Sequence, residues 1–243
     1  ANPPAKGELP RLRLFINGAA ALPRSVGTRL SEASGIPVVE PWGLTEATLA
    51  VTCGPRDGGL RQGSVGMALP YCAVKAVRTD AAGKPVSDCM ADEIGVLAVH
   101  GPMVFDGYLD RPPDQQPFFA EGWLDTGDLG RVDGDGYLFI TGRVKDIIII
   151  AGENVAPREI EEVLLEHPAV AEAAVVGVRD ELRGELPIAF VVLRDGASAT
   201  PAELREHCRA RLAGYKVPRE VRIVATLPRA PTGKVLKRAL REA

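Results

Sequence analysis

The sequence predicts a mixed fold: an α/β segment over residues 1–60, a small β-barrel-like subdomain over 61–142, and a compact α+β domain over 143–243. Three observations predict it. A strand-like run, a proline-started helix and a second strand-like run follow one another before residue 40. Short apolar or alternating runs separated by Gly and Asp turns fill the middle of the chain. After Arg143 the pattern changes again, to helix signals among longer β-branched runs.

In order along the chain, Leu12 to Asn17 reads as a buried strand by its apolar content. Pro23 suits the first turn of a helix running toward Ser34, and Gly35 is a stop signal in the left-handed cap position. Ile36 to Val39 is a second short strand. Ala73 to Val77, Ile94 to Val99 and Tyr137 to Ile140 are the strands of the middle part, with Asp133-Gly134-Asp135-Gly136 as the clearest turn. Ile147 to Ile150 is a strand of β-branched residues. Pro157 to Glu166 is a helix with Ile160, Val163 and Leu164 on one face, stopped by Pro168. Ala173 to Val178, Ile188 to Leu193 and Val221 to Val224 are strands. Thr200-Pro201-Ala202-Glu203 is a capping box, opening a helix that buries Leu204, Cys208 and Leu212 and closes at Gly214.

The chain has 243 residues, enough for one large or two smaller domains, and its 46% hydrophobic and 25% charged composition is that of a globular protein. A net charge of -3 argues against a nucleic-acid partner, which a basic face would serve. Four scattered cysteines form no CxxC, and with three histidines in the chain a histidine-rich metal site is nearly excluded. Unpaired thiols suit a reducing compartment, so the expected address is cytoplasmic. No apolar run approaches the length of a membrane span.

Six stretches stand out. Gly18-Ala19-Ala20 ends the first strand with small side chains. Trp42-Gly43-Leu44-Thr45-Glu46 follows the second strand, where α/β sheets place ligands. Asp92-Glu93-Ile94-Gly95, Trp123-Leu124-Asp125-Thr126-Gly127-Asp128, Gly142-Arg143-Val144-Lys145-Asp146 and Pro231-Thr232-Gly233-Lys234 come after it. Each has a plain structural reading. Small residues pack tightly, Asp128 can cap a turn after Gly127, Lys145 can be an exposed linker, and a terminal Gly-Lys can be a solvated tail. Such readings leave their joint order unexplained.

In that order the stretches resemble the adenylate-forming superfamily, which contains acyl-CoA synthetases, amino-acid adenylation domains and luciferases. They cover essentially the whole chain. The resemblance implies the end of a large AMP-binding domain over 1–142 and a mobile domain over 143–243, with a hinge at 143–146 centred on Lys145. Gly18, Ala19 and Ala20 would line the adenine and acyl pockets, and Trp42 would stack on adenine with Gly43 allowing close approach. Thr45 would bind the α-phosphate and Glu46 would hold Mg²⁺. Asp128 and Arg143 would bind the ribose. Lys234, on a loop freed by its glycine neighbour, would stabilise charge as the carboxylate attacks the α-phosphorus.

The version of the loop after the hinge, Ala151-Gly152-Glu153-Asn154, resembles that of acyl-CoA synthetases, with Gly152 and Glu153 at the pantetheine arm. The implied reaction consumes ATP and a small carboxylic acid, fatty or aromatic, and passes the acyl group from AMP to coenzyme A after the second domain turns about Lys145. The alternatives are an amino-acid adenylation domain serving a carrier protein, and a nucleotide-binding module without activity. An oligomer is compatible with either. A Ser/Thr/Gly-rich phosphate loop is absent and Ala1 enters in mid-pattern. This chain alone is therefore expected not to form acyl-AMP.

Overall fold

The computed structural model describes residues 3–18, 22–55, 59–231 and 233–242. Its chain divides into two compact units, Ala1–Val144 and Lys145–Ala243.

In the first unit, β1 (Phe15–Ile16) pairs in parallel with β2 (Val38–Val39) across α1 (Arg24–Ser34). Helix α1 starts after Pro23 and ends where Gly35 takes φ 71°, its N–H bonded to the Ser31 carbonyl. The expected strand over Leu12 to Asn17 shortens to two residues and is not buried: Ile16 is 69% exposed. Strands β3 (Thr52–Cys53) and β4 (Met67–Ala68) form a small antiparallel pair.

A five-stranded antiparallel sheet follows, built from β5 (Ala73–Thr79), β6 (Pro85–Asp88), β7 (Gly95–His100), β8 (Leu124–Val132) and β9 (Leu138–Arg143). Its order is β6-β5-β7-β8-β9, an open path without closure, so the expected barrel-like form is corrected to an open sheet. Gly95 is required there, because a Cβ would lie 2.7 Å from the Val77 carbonyl oxygen on β5. Val96 to Val99 are all buried, and Leu97 and Val99, on one face of β7, serve two neighbouring apolar clusters. One gathers Ala47, Val51, Val99 and Leu124, the other Ala76, Leu97 and Leu138.

In the second unit, β10 (Ile148–Ile150) and β11 (Glu153–Val155) form a hairpin whose two turn residues have positive φ, Ala151 at 50° and Gly152 at 90°. That is the twist a two-residue hairpin turn needs, and it explains the glycine without any ligand. Helix α2 (Pro157–Leu165) leads to the long antiparallel pair β12 (Val170–Asp180) and β13 (Gly184–Leu193). Helix α3 (Pro201–Arg209) follows, then β14 (Glu220–Ile223), parallel to β13, and α4 (Lys237–Arg241). The capping box is present in full: the Thr200 hydroxyl accepts from the Glu203 N–H at 3.2 Å, and the Thr200 N–H donates to Glu203 at 2.7 Å. Helix α3 stops at Arg209, short of the expected Gly214, which sits in a separate 3-10 turn.

Alternation along β12 and β13 gives this sheet two apolar faces. Val175, Ala189 and Val191 meet Ile160 and Leu164 of α2 and Leu204 and Cys208 of α3. Ala174, Val176, Ile188 and Phe190 meet Leu227 and Leu240 from the end of the chain. The C-terminal segment is thus a third layer of the unit. No helix among the described residues is long and apolar enough to cross a membrane.

Candidate functional site

Strand β8 carries the Asp125-Thr126-Gly127-Asp128 motif, whose plain structural reading was a turn cap at Asp128. On β7, Val96 faces Leu129 and Ala98 faces Asp125, so the single residue Leu97 lies opposite Thr126, Gly127 and Asp128. This bulge breaks the ladder, and the motif's own side chains repair it. Thr126 Oγ1 donates to the Leu97 carbonyl at 2.7 Å and accepts from the Asp128 N–H at 3.1 Å. Asp125 accepts from the Gly127 N–H at 2.8 Å, with Gly127 at φ 66°. Burial pushes the Asp125 carboxyl up; the Gly127 bond opposes the shift and the neighbouring Asp128 charge adds to it. Asp125 and Thr126 therefore serve the bulge, and the bulge aims Asp128.

Asp128 is 6% exposed. Its Oδ2 accepts from the indole Nε1–H of Trp42 at 2.9 Å, and its Oδ1 pairs with Nε of Arg143 at 2.8 Å. Arg143 stands directly opposite it on β9. A carboxylate has about four lone-pair positions. Two are used, and each oxygen keeps one for a further donor.

Trp42 packs against both clusters of the first unit, which fixes the indole so that its N–H reaches Asp128. The expectation for Trp42 concerned its face; the structure assigns its edge to the carboxylate. Gly43 does allow a close approach, but by the chain itself: a Cβ there would lie 2.0 Å from the Leu49 carbonyl oxygen. That contact folds the chain back so that Thr45–Ala47 forms a 3-10 turn, followed by Thr48 and Leu49 at φ 52° and 90°. Thr45 is exposed on this turn and Glu46 is half-buried. The Glu46 backbone carbonyl accepts from the Phe105 N–H at 2.8 Å, and its side-chain Oε1 accepts from the Tyr108 hydroxyl. That bond to Glu46, with partial burial, raises the Tyr108 pKa. Tyr108 was not foreseen, because no spacing rule links a loop tyrosine to a carboxylate 62 residues away.

Among the described residues no group of three His, Cys, Asp or Glu side chains could hold a metal by itself. Magnesium is usually held by one or two carboxylates together with substrate phosphates. Glu46, with Oε1 bonded to Tyr108, fits a magnesium ion that arrives on a nucleotide.

Among the described residues, the nearest neighbour of a Cβ added at Gly18 is Pro41, at 3.9 Å. Ala19, Ala20 and Thr232 lie outside the described residues. In the second unit, Lys145 is exposed in a 3-10 turn spanning Val144–Asp146. Among the described residues nothing lies within 4 Å of a Cβ added at Gly152, and Glu153 next to it is exposed on β11. Lys234 is exposed, and among the described residues its ammonium has no ion-pair partner. The structure thus gathers Trp42, Asp128 and Arg143 into one bonded set with Thr45 and Glu46 on the turn that follows Trp42. Lys145, Gly152, Glu153 and Lys234 belong to the other unit.

The model of the AMP-binding enzyme family matches residues 1–109, and that of the AMP-binding enzyme C-terminal domain matches residues 159–234. The chain belongs to the adenylate-forming superfamily. It is 42% identical over 226 residues to the sulfoacetate–CoA ligase of Cupriavidus necator, covering 92% of this chain and 43% of that protein. It is 39% identical over 237 residues to the long-chain-fatty-acid–CoA ligase of Bacillus subtilis, covering 97% and 41%. The solved structure of ATP-bound MatB from Rhodopseudomonas palustris superposes with a TM-score of 0.91 at 37% identity, covering 98% of this chain and 46% of that one. The chain spans less than half the length of these adenylate-forming relatives.

Proposed function

We propose that this chain is part of an AMP-forming acid–CoA ligase that activates a small carboxylic acid with ATP. The observation that carries the reading is the buried Asp128 carboxylate, held by Trp42 and Arg143 with a lone pair left on each oxygen. In this reading those lone pairs accept the two ribose hydroxyls, each charge-assisted bond contributing roughly 1.5–3 kcal/mol. Arg143 adds a cation to the ribose and phosphate region, and Gly18 with the face of Trp42 borders the base.

Thr45 donates to the α-phosphate from its exposed turn. Glu46, oriented by Tyr108, would hold the magnesium ion, which would neutralise phosphate charge. The carboxylate of the acid attacks the α-phosphorus, the bond to pyrophosphate breaks, and acyl-AMP remains. Lys234 supplies the cation that this meeting of anions requires. Coenzyme A thiolate then attacks the acyl carbon and AMP leaves, with Gly152 and Glu153 beside the pantetheine arm and Lys145 as the pivot between the two steps. The open space around Gly152 suits that arm.

Fatty and aromatic acids are the first substrates to test, since Ala19, Ala20, Trp42 and Leu44 are themselves uncharged. Four free cysteines agree with a cytoplasmic setting. The test is a carboxylate panel with ATP and coenzyme A in the full-length protein, beside Lys234→Ala. Acid-dependent pyrophosphate release that Lys234→Ala reduces by on the order of 100-fold is expected. Full activity in that variant sinks the assignment of Lys234, and no release with any acid sinks the ligase reading.

A further inference from the structure

Resting on the adenylation reading above, we propose that Arg229 is a positioning residue, which sets the backbone of Lys234 through a clamp anchored on Glu172. The segment on either side of Lys234 is a hairpin. Arg229 and Val235 form an antiparallel bridge, and the Leu236 N–H donates to the Pro228 carbonyl at 2.8 Å. The Gly233 N–H donates to the Ala230 carbonyl, and the Ala230 N–H donates to the Lys234 carbonyl, both at 2.8 Å. Gly233 turns the chain at φ 83°. Arg229 completes this arrangement: its Nη1 donates to the Gly233 carbonyl at 2.7 Å, while its Nη2 pairs with Glu172. The carbonyls before and after the Lys234 Cα are therefore both held.

The anchor has its own origin in the sheet. Val170 faces Leu193 but Glu172 faces Val192, so Ala171 is an extra residue in β12. The bulge lets Val170 join the cluster under α2 and α3, while Glu172 keeps the alternation of Ala174 and Val176, on the face that the C-terminal segment covers. Glu172 thereby meets Arg229. Both side chains are nearly half exposed, so the pair adds little to stability. Its worth is directional. A planar guanidinium can bond a carboxylate and a carbonyl at once, which a single ammonium does poorly.

The experiment uses the full-length protein and times each half-reaction separately. Arg229→Ala should slow acyl-AMP formation by roughly 10–100-fold, the scale of a misplaced catalytic group. Thioester formation from preformed acyl-AMP, which does not use Lys234, should stay within about twofold. Arg229→Lys should resemble Arg229→Ala, and the melting temperature should stay within about 2 °C. Acyl-AMP formation within about twofold of wild type, beside an inactive Lys234→Ala, overturns the positioning role. An equal fall in both half-reactions also overturns it, because it signals lost folding. If Lys234→Ala itself keeps full acyl-AMP formation, the reading of the lysine falls, and this inference with it.

Discussion

Replacing Asp128 with Asn keeps the side chain's shape and removes its charge, and the two groups bonded to it set the cost. In the native site both carboxylate oxygens accept, one from Trp42 at 2.9 Å and the other from Arg143 at 2.8 Å. An amide offers one oxygen and one NH₂, so whichever way it turns a donor meets a donor. Trp42 is wedged between two apolar clusters and cannot leave. The Arg143 side chain is 47% exposed and can swing to water. The new amide should therefore turn its oxygen to Trp42 and release Arg143. The half-exposed ion pair is worth about 0.5–1 kcal/mol. Weakening the indole bond from a charged to a neutral acceptor adds about 0.5–1.5 kcal/mol. The total, roughly 1–2.5 kcal/mol, corresponds to a fall in melting temperature of about 3–8 °C for a unit of this size. Fluorescence can track the transition, since the chain's two tryptophans, Trp42 and Trp123, both lie in the first unit. In the full-length protein AMP binding should fall by on the order of 10–100-fold, because an amide facing the ribose loses charge and one acceptor. A loss above about 4 kcal/mol would mean that Arg143 is trapped with an unpaired charge. Unchanged AMP binding would refute the ribose role.

Gly43→Ala should destabilise the first unit by about 3 kcal/mol or more, because its Cβ would meet backbone at Leu49 and Ala50 that cannot yield. Gly134→Ala, with nothing within 4 Å, is the matched control and should melt like wild type. Cys208 is fully buried and its thiol is pushed up to about 11 by that burial. A thiol reagent should modify it only when the second unit opens, after the half-buried Cys53, Cys72 and Cys89, and labelling as fast as theirs in the native protein would contradict the packing of α3. The Thr200 N–H and hydroxyl hold Glu203 below the usual carboxylate range, so its ionised form favours the folded state. That contribution is present above the unfolded pKa near 4.3 and is lost as pH falls through the lower folded value. Glu203→Gln should thus melt below wild type at pH 7, by a gap that narrows as pH falls below the unfolded pKa, and a gap unchanged by pH would rule the capping box out as its source.

What could be read from the sequence was local. The capping box at Thr200, the Gly35 stop and the Asp133 to Gly136 turn depend on residues a few places apart, whose preferences act before any packing. Features that depend on register were hidden. Nothing local indicates that Leu97 will face three residues of β8, so the strand position of Asp128 and its bonds to Trp42 and Arg143 could not be read from spacing. Arg229 and Glu172 are 57 residues apart and meet only because Ala171 shifts the phase of β12. The end of α3 was misjudged for a related reason. Leu212 continues the apolar spacing, but the chain must leave the helix to bring Glu220–Ile223 beside β13. Two candidate residues, Gly43 and Gly152, turned out to have conformational reasons of their own, a contact with Leu49 in one and a hairpin turn in the other.

The third layer of the second unit has a mechanical consequence. A Gly-Lys pair near the end of a chain suggests a tether that wanders. Here Leu227 before the hairpin and Leu240 after it are both sunk in the sheet. Lys234 is carried on a hairpin whose two flanks are both anchored in the sheet. Lifting the whole hairpin with Leu227 and Leu240 would strip the cover from Ala174, Val176 and Phe190. The reach of this lysine is therefore a property of the whole second unit.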